Sequence, residues 1–270
     1  MRLGFIGGYD EKTLAFAQKA GFEGLEIHTK TGSELFNKDT AKKVKAAFDK
    51  HDLAVISMFH FEDYCSGDKM KDAAAFDSFL KTIEISDVFN TKVITCNAFA
   101  GKVSEDEQLK NFERIFGEFA KAAEDSGKLI GIENCPHGGR NVGYSPVLWK
   151  KMFEIVPPVV GLEFDPSHLH WMGIDWLQAI YDFADRIHMF HAKDTEIRRN
   201  RLKVAGIEGR GWWRYRLPGW GEINWKQIFT ALLEIGYTGD MVIEHEDPVY
   251  DGELREKGLE MGLRTLQSCN

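Results

Sequence analysis

The sequence predicts an α/β protein built as a single (β/α)8 TIM barrel with a long loop after strand 7, and three observations carry that expectation. The chain has 270 residues, about the size of one such barrel. Eight short apolar runs rich in Val, Ile and Phe recur along it. The stretches between those runs carry helical periodicity, so strand and helix alternate from end to end.

In order, the runs are residues 3–7, 24–29, 54–59, 92–99, 129–135, 160–165, 187–193 and 240–245, each bounded by Gly, Pro, Asp or Asn within a few positions. Together they make one barrel domain over residues 1–270. Leu109, Phe112, Ile115, Phe116 and Phe119 fall on one helical face, and Ser104 with Glu107 makes a capping box at the start of that helix. Phe76, Phe79, Leu80 and Ile83 form a second stripe, and Val44, Ala47 and Phe48 a third. Gly21, Gly127 and Gly236 stand where helices should end before the next strand. An open doubly wound sheet is the competing architecture. It usually has fewer strands, and neither G-x-G-x-x-G nor G-x-x-x-x-G-K-[ST] opens a helix here.

Composition narrows the function classes. A formal net charge of -8 argues against nucleic acid as the main partner, because such binding relies on clustered Lys and Arg. No apolar run approaches the ~20 residues of a membrane span. Met1-Arg-Leu-Gly-Phe-Ile-Gly-Gly enters a strand with no signal-like apolar region, so a cytoplasmic location is expected. Cys65, Cys96, Cys135 and Cys269 lack metal-site spacing and are read as reduced thiols.

In a barrel the functional residues stand at the C-terminal ends of the strands. The last four runs all end in ionisable groups: Glu133, Asp165, His191 and Glu244. A carboxylate beside an apolar strand costs several kcal/mol unless it is paired or metal-bound. Four such residues at equivalent depth therefore point to a shared counter-charge, one divalent cation. Three carboxylates and one imidazole suit Mn2+ best, with Mg2+, Co2+ or Zn2+ as alternatives. Glu133, Asp165 and His191 follow one another at about one βα unit, whereas Glu244 comes about twice that distance later. The excess is the long loop, residues 195–221.

Ile132-Glu133-Asn134, Asp165-Pro166-Ser167-His168, His191-Ala192-Lys193-Asp194 and Ile243-Glu244-His245-Glu246 together resemble the sugar phosphate isomerase/epimerase branch of the xylose-isomerase-like barrels, which includes ketose 3-epimerases and inosose dehydratases. The resemblance spans nearly the whole chain. It implies that Glu133, Asp165, His191 and Glu244 bind metal and that His168 hydrogen-bonds substrate. Endonuclease IV shares the superfamily. The fourth run, however, ends Cys96-Asn97-Ala98-Phe99 without His, and no Asp-x-His follows His191.

These residues lead to an expected chemistry of proton abstraction next to a carbonyl on a small-molecule sugar. Glu133 and Glu244, on strands three places apart, are expected to face opposite sides of the substrate as acid and base. Lys193, two residues after His191, points to the same side of its strand. His28 and His60 end the second and third strands and are candidates to line the pocket. The loop segment Gly211-Trp212-Trp213-Arg214-Tyr215-Arg216-Leu217-Pro218-Gly219 resembles that of superfamily members acting on 3-keto-glycosides, including subunits of C-glycoside deglycosidases. Trp213 is a candidate sugar platform, and Arg198 and Arg199 are candidate contacts for a charged group. Three outcomes stay open at this level: an isomerase or epimerase of a keto sugar, a lyase or deglycosidase subunit acting on a 3-keto-glycoside, and a non-catalytic sugar-binding barrel. A homo-oligomer or a small partner subunit is compatible with all three.

Overall fold

The computed structural model describes residues 1–269. The chain runs β1 (Leu3–Ile6), α1 (Glu11–Ala20), β2 (Gly24–Thr29), α2 (Lys38–Lys50), β3 (Ala54–His60), α3 (Lys69–Ile85), β4 (Val93–Cys96), α4 (Glu105–Asp125) and β5 (Leu129–Glu133). It continues through α5 (Pro146–Ile155), β6 (Val160–Phe164), α6 (Pro166–Trp171), α7 (Trp176–Asp182) and β7 (Ile187–Ala192). The last elements are β8 (Asp194–Ile197), α8 (Arg199–Ala205), β9 (Trp213–Arg216), α9 (Trp225–Glu234), β10 (Met241–Ile243) and α10 (Arg255–Gln267).

Eight strands close a parallel barrel in the order β1-β10-β7-β6-β5-β4-β3-β2. All eight predicted runs are strands, several of them shorter than predicted because their last residues lie beyond the hydrogen-bonded ladder. Those overhanging residues form the mouth. No helix among the described residues is long and apolar enough to cross a membrane.

Local signals act as the sequence implies. The Ser104 side chain accepts from the Glu107 amide and caps α4, and that helix buries Phe112, Ile115, Phe116 and Phe119 against the barrel. Gly21 ends α1 at φ 88°, a left-handed conformation in which a Cβ would be strained.

The predicted long loop is a folded lid. Strands β8 and β9 pair antiparallel with α8 between them. A buried carboxylate, Asp194, ties its base. It accepts from the backbone amides of Thr195 at 2.7 Å, Gly219 at 2.9 Å and Ile223 at 3.0 Å, and from Trp225 Nε1 at 3.0 Å. Four donors offset the several kcal/mol that an unpartnered buried charge would cost. The knot is so close that a Cβ on Gly221 would lie 2.2 Å from Asp194 Oδ1. Arg216 then joins the lid to the segment after β10, reaching Asp247 at 2.8 Å and Glu196 at 2.7 Å.

The barrel interior is layered. Ile6, Ala54, Ile56, Val93, Met189 and Val242 form an apolar floor separate from the main core. Above it the register of β2 against β3 skips Ile56, pairing Leu25 with Val55 and Glu26 with Ser57. This bulge inverts the alternation of β3. Ser57 now faces the interior, where it donates to Glu26, and Phe59 follows it, while Met58 and His60 turn outward.

Candidate active site

The first consequence of that bulge is a correction. His60 does not line the mouth. Its ring lies under α3, with Nδ1 2.8 Å from the Tyr64 hydroxyl and Nε2 2.7 Å from Ser78 Oγ. Burial drives its pKa down to about 3, so it is a neutral packing residue. His28 stays inward and exposed at the mouth, 5.4 Å from the Phe59 ring. Phe59 in turn stacks on His191 at 6.5 Å.

Glu133, Asp165 and Glu244 converge above the middle of the barrel. The sequence reading takes His191 as their fourth member; His168 also joins the three, each of these four residues offering an atom within 4.8 Å of the other three. His168 Nε2 is 3.3 Å from Glu133 Oε1 and 3.4 Å from Asp165 Oδ2. His191 belongs to two tiers. Its Nδ1 lies 3.4 Å from Glu244 Oε2 and 3.8 Å from Glu133 Oε1, while its Nε2 points down to Glu26 and Glu163.

The supports of the group explain its shape. Asp165 caps α6 with Oδ1, accepting from the Ser167 amide at 2.8 Å, which leaves Oδ2 facing the other acids. Asn134 pins Asp165, accepting from its amide at 2.7 Å and donating to its carbonyl at 2.9 Å. Asn97 Nδ2 donates to Glu133 Oε2 at 2.9 Å. Lys193 is wholly buried and is the cluster's own cation. Its Nζ is 2.5 Å from Glu244 Oε2, 3.2 Å from Asp165 Oδ2 and 3.0 Å from Glu246 Oε2.

Charge and dryness set the protonation states. Burial alone would raise the Glu133 carboxyl, but His168 and His191 hold it well below the usual range. Burial likewise opposes ionisation of Glu244, and the Lys193 ammonium outweighs it, bringing the carboxyl to about 2. Lys193 itself is raised well above its ordinary value despite burial, chiefly by Asp165 and Glu244.

The lid covers this group with aromatic rings. Trp213 stacks face to face on Trp171 at 4.6 Å, and the Tyr215 ring meets Lys193 Nζ at 4.3 Å. The Tyr215 hydroxyl lies between His137 Nε2 and His168 Nδ1, 2.8 Å from each. A hydrogen-bonded chain thus runs from exposed His137 through Tyr215 and His168 to Glu133. Arg198 and Arg199 are occupied within the lid. Arg198 donates to the Gly211 carbonyl at 3.2 Å, and Arg199 grips Glu222 with both terminal nitrogens.

Sequence reasoning passed over Glu26, Glu163, Asn97, His137 and Trp171, and read Tyr215 only as part of the aromatic loop segment. A signal for two of them was present. Glu26 and Glu163 stand two residues before His28 and Asp165, on the same strand face. Nothing local marks Tyr215 as a partner of His168.

A sequence model of the xylose isomerase-like TIM barrel matches residues 14–269. The chain belongs to that family. Among relatives of this family member, an inosose dehydratase of Clostridium tetani is 25% identical over 257 residues, covering 88% of this chain and 83% of the relative. The crystal structure of apo 3-keto-D-glucoside 4-epimerase from E. coli matches with a TM-score of 0.73 at 18% identity, over 100% of both chains. The IOLI protein, solved with a bound zinc atom, matches with a TM-score of 0.73 at 19% identity, over 100% of this chain and 96% of the other. At such identities the solved structures establish the shared fold.

Proposed function

We propose that the protein is a divalent-metal-dependent isomerase or epimerase of a keto sugar, either a ketose or a 3-keto-glycoside, working by proton abstraction beside the carbonyl through an enediolate. One observation carries this reading. Two carboxylates from strands three places apart, Glu133 and Glu244, converge where His191 Nδ1 and Asp165 Oδ2 are buried without a hydrogen bond, Asp165 Oδ2 having only ion-pair contacts with Lys193 at 3.2 Å and His168 at 3.4 Å. That the chain is an enzyme is further supported by its relatives, which are named as sugar and inosose isomerases, epimerases and dehydratases.

The donor set fits a divalent cation. Each orphaned buried polar atom costs about 1–3 kcal/mol, and a cation ligated by Glu133, Asp165, His191 and Glu244 satisfies both orphans at once. Oxygen-rich donors with one imidazole favour Mn2+ and also admit Mg2+, Co2+ or Zn2+. When bound, the cation supplies the positive charge that lowers the cost of an enediolate.

The chain's own residues do the rest. Glu133 and Glu244 are both ionised, so either can take the carbon-bound proton on its face of the sugar while the other returns one. Lys193 Nζ and His168 Nε2 are placed to donate to substrate oxygens. Trp213 and His28 border the mouth, and the lid excludes water so that these contacts act at low dielectric.

The test is NMR of ketoses, inososes and 3-keto-glucosides in D2O with the Mn2+-reconstituted protein, following the proton beside the carbonyl and exchanging Mn2+ for Mg2+ before acquisition. Deuterium is expected to enter at least one substrate, and Glu133→Gln and Glu244→Gln should each slow that entry by about 10²–10⁴-fold. No exchange in any of the three classes, or wild-type exchange in both variants, overturns the reading. A second reading, supported by the inosose dehydratase relative, is loss of a β-hydroxyl after the same first step. It predicts an unsaturated product with ultraviolet absorption growing alongside the exchange.

A further inference from the structure

Beneath the active site the barrel holds a second ionisable tier. Glu26 on β2 and Glu163 on β6 come from strands four places apart in either direction round the barrel, so they face each other across it. Both are 0% exposed. Between them lies His191 Nε2, 3.3 Å from Glu26 Oε1 and 2.9 Å from Glu163 Oε1. Ser57 Oγ and Thr95 Oγ1 donate to the other oxygen of Glu26, at 2.5 Å and 3.1 Å. Among the described residues no Lys or Arg forms an ion pair with either acid.

Stability alone would place branched apolar residues in this layer, as in the floor below it. Two acids with no Lys or Arg beside them, and only one imidazole between them, are expensive to bury. What they share is one imidazole edge, and the opposite edge of that imidazole carries the orphaned Nδ1. An N–H held by a carboxylate fixes both the tautomer and the ring plane of a histidine, and it makes the other nitrogen a stronger donor. Gly131 makes room for the arrangement, since a Cβ there would come within 3.3 Å of the Glu163 Cβ.

We propose that Glu26 and Glu163 are paired positioning residues, Glu26 accepting the His191 Nε2–H and Glu163 holding the same ring edge by its charge contact at 2.9 Å, and that together they aim Nδ1 into the active site. Neither touches the substrate. They act through the ring of His191, and this inference rests on the reading above only in holding that a cation is what Nδ1 meets.

The experiment compares wild type with Glu26→Gln, Glu163→Gln and the double variant, chosen because Gln keeps the volume. Co2+ serves as the probe, with its visible absorption and its titrated affinity as readouts. The downfield proton signal of His191 Nε2–H in the metal-free protein is a third, and the melting temperature of that form a fourth. Each single variant should bind Co2+ about 10–100-fold more weakly with an altered absorption band, and the double variant should lose the Nε2–H signal to exchange with water. The metal-free melting temperature should not fall, which separates positioning from a merely structural role. Unchanged affinity and spectrum in all three variants overturn the proposal, as does an Nε2–H signal that survives in the double variant. If wild type itself binds no Co2+ while the Nε2–H signal still depends on the two acids, the metal reading fails and the positioning of His191 stands.

Discussion

The upper and lower tiers of the barrel interior are built from the same residue types and solve the same electrostatic problem in opposite ways. Above, three carboxylates and His168 surround an ammonium, Lys193, and Glu244 keeps 21% of its side chain exposed. Below, two carboxylates share His191 with no exposure at all. Burial raises Glu163, with the charge of Glu26 adding to it, whereas Glu26 is held low against burial by His191. The two acids of the lower pair are thereby pushed in opposite directions. On the proposed function the upper tier, with an internal cation and a partly exposed Glu244, is the one where charge changes during turnover, and the lower tier positions His191.

Removing metal breaks this comparison most completely. Dialysis against EDTA should abolish deuterium exchange, and Mn2+, Co2+ or Zn2+ should restore it; exchange that persists after stripping would place the chemistry on side chains alone. Next in size is Lys193→Met, which strips the upper tier of its internal counter-charge. Thermal or urea unfolding of the metal-free variant should show a loss of about 3–5 kcal/mol, and saturating Mn2+ should recover most of it. A loss that metal does not recover would mean that Lys193 and the cation occupy different places.

Smaller effects sharpen the boundary of the upper tier. Tyr215→Phe leaves His168 Nδ1 and His137 Nε2 without their shared hydroxyl, worth about 1–3 kcal/mol. It should appear as a raised KM and faster proteolysis within residues 195–221, with little change in metal affinity. An effect of similar size that builds up only with acid is expected outside both tiers, at His60. The folded state holds His60 neutral down to about pH 3, while the unfolded chain takes up a proton near the ordinary histidine value of about 6.5. The unfolded state therefore binds more protons between those values, and stability falls as pH drops through that window. His60 contributes at most about 1.4 kcal/mol per pH unit to that slope. A His60→Gln variant should have a shallower dependence of melting temperature on pH from 6 to 4. An unchanged slope would assign the acid sensitivity to the tiers instead.

The family resemblance and the residues converge on the same strand ends, and much of the candidate site is readable there. Glu133, Asp165, His191, Lys193 and Glu244 follow the strand period, which survives in the linear order because successive side chains alternate faces. The helical stripe from Phe112 to Phe119 and the Ser104 cap are likewise local patterns and could be read without a partner. His168 was legible as a site residue but not as an imidazole lying between Glu133 and Asp165, since that depends on how α6 turns after its Asp165 cap.

Long-range closure decided what remained. His60 was expected at the pocket because it ends the third strand, and one skipped residue at Ile56 turned it outward; a bulge is a property of two paired strands, and β3 alone does not encode it visibly. Glu26 lies 165 residues from His191, and only a closed barrel brings β2 and β6 to opposite sides of one imidazole. Tyr215 reaches His168 because Asp194 knots the lid back over the mouth. The chain's own order thus determined which strands carry charge and at which end, through periods of two and 3.6 residues that need no tertiary contact. Which charges meet, in which tier and under what cover, was settled by register and barrel closure, because those depend on distances between residues that sequence spacing does not measure.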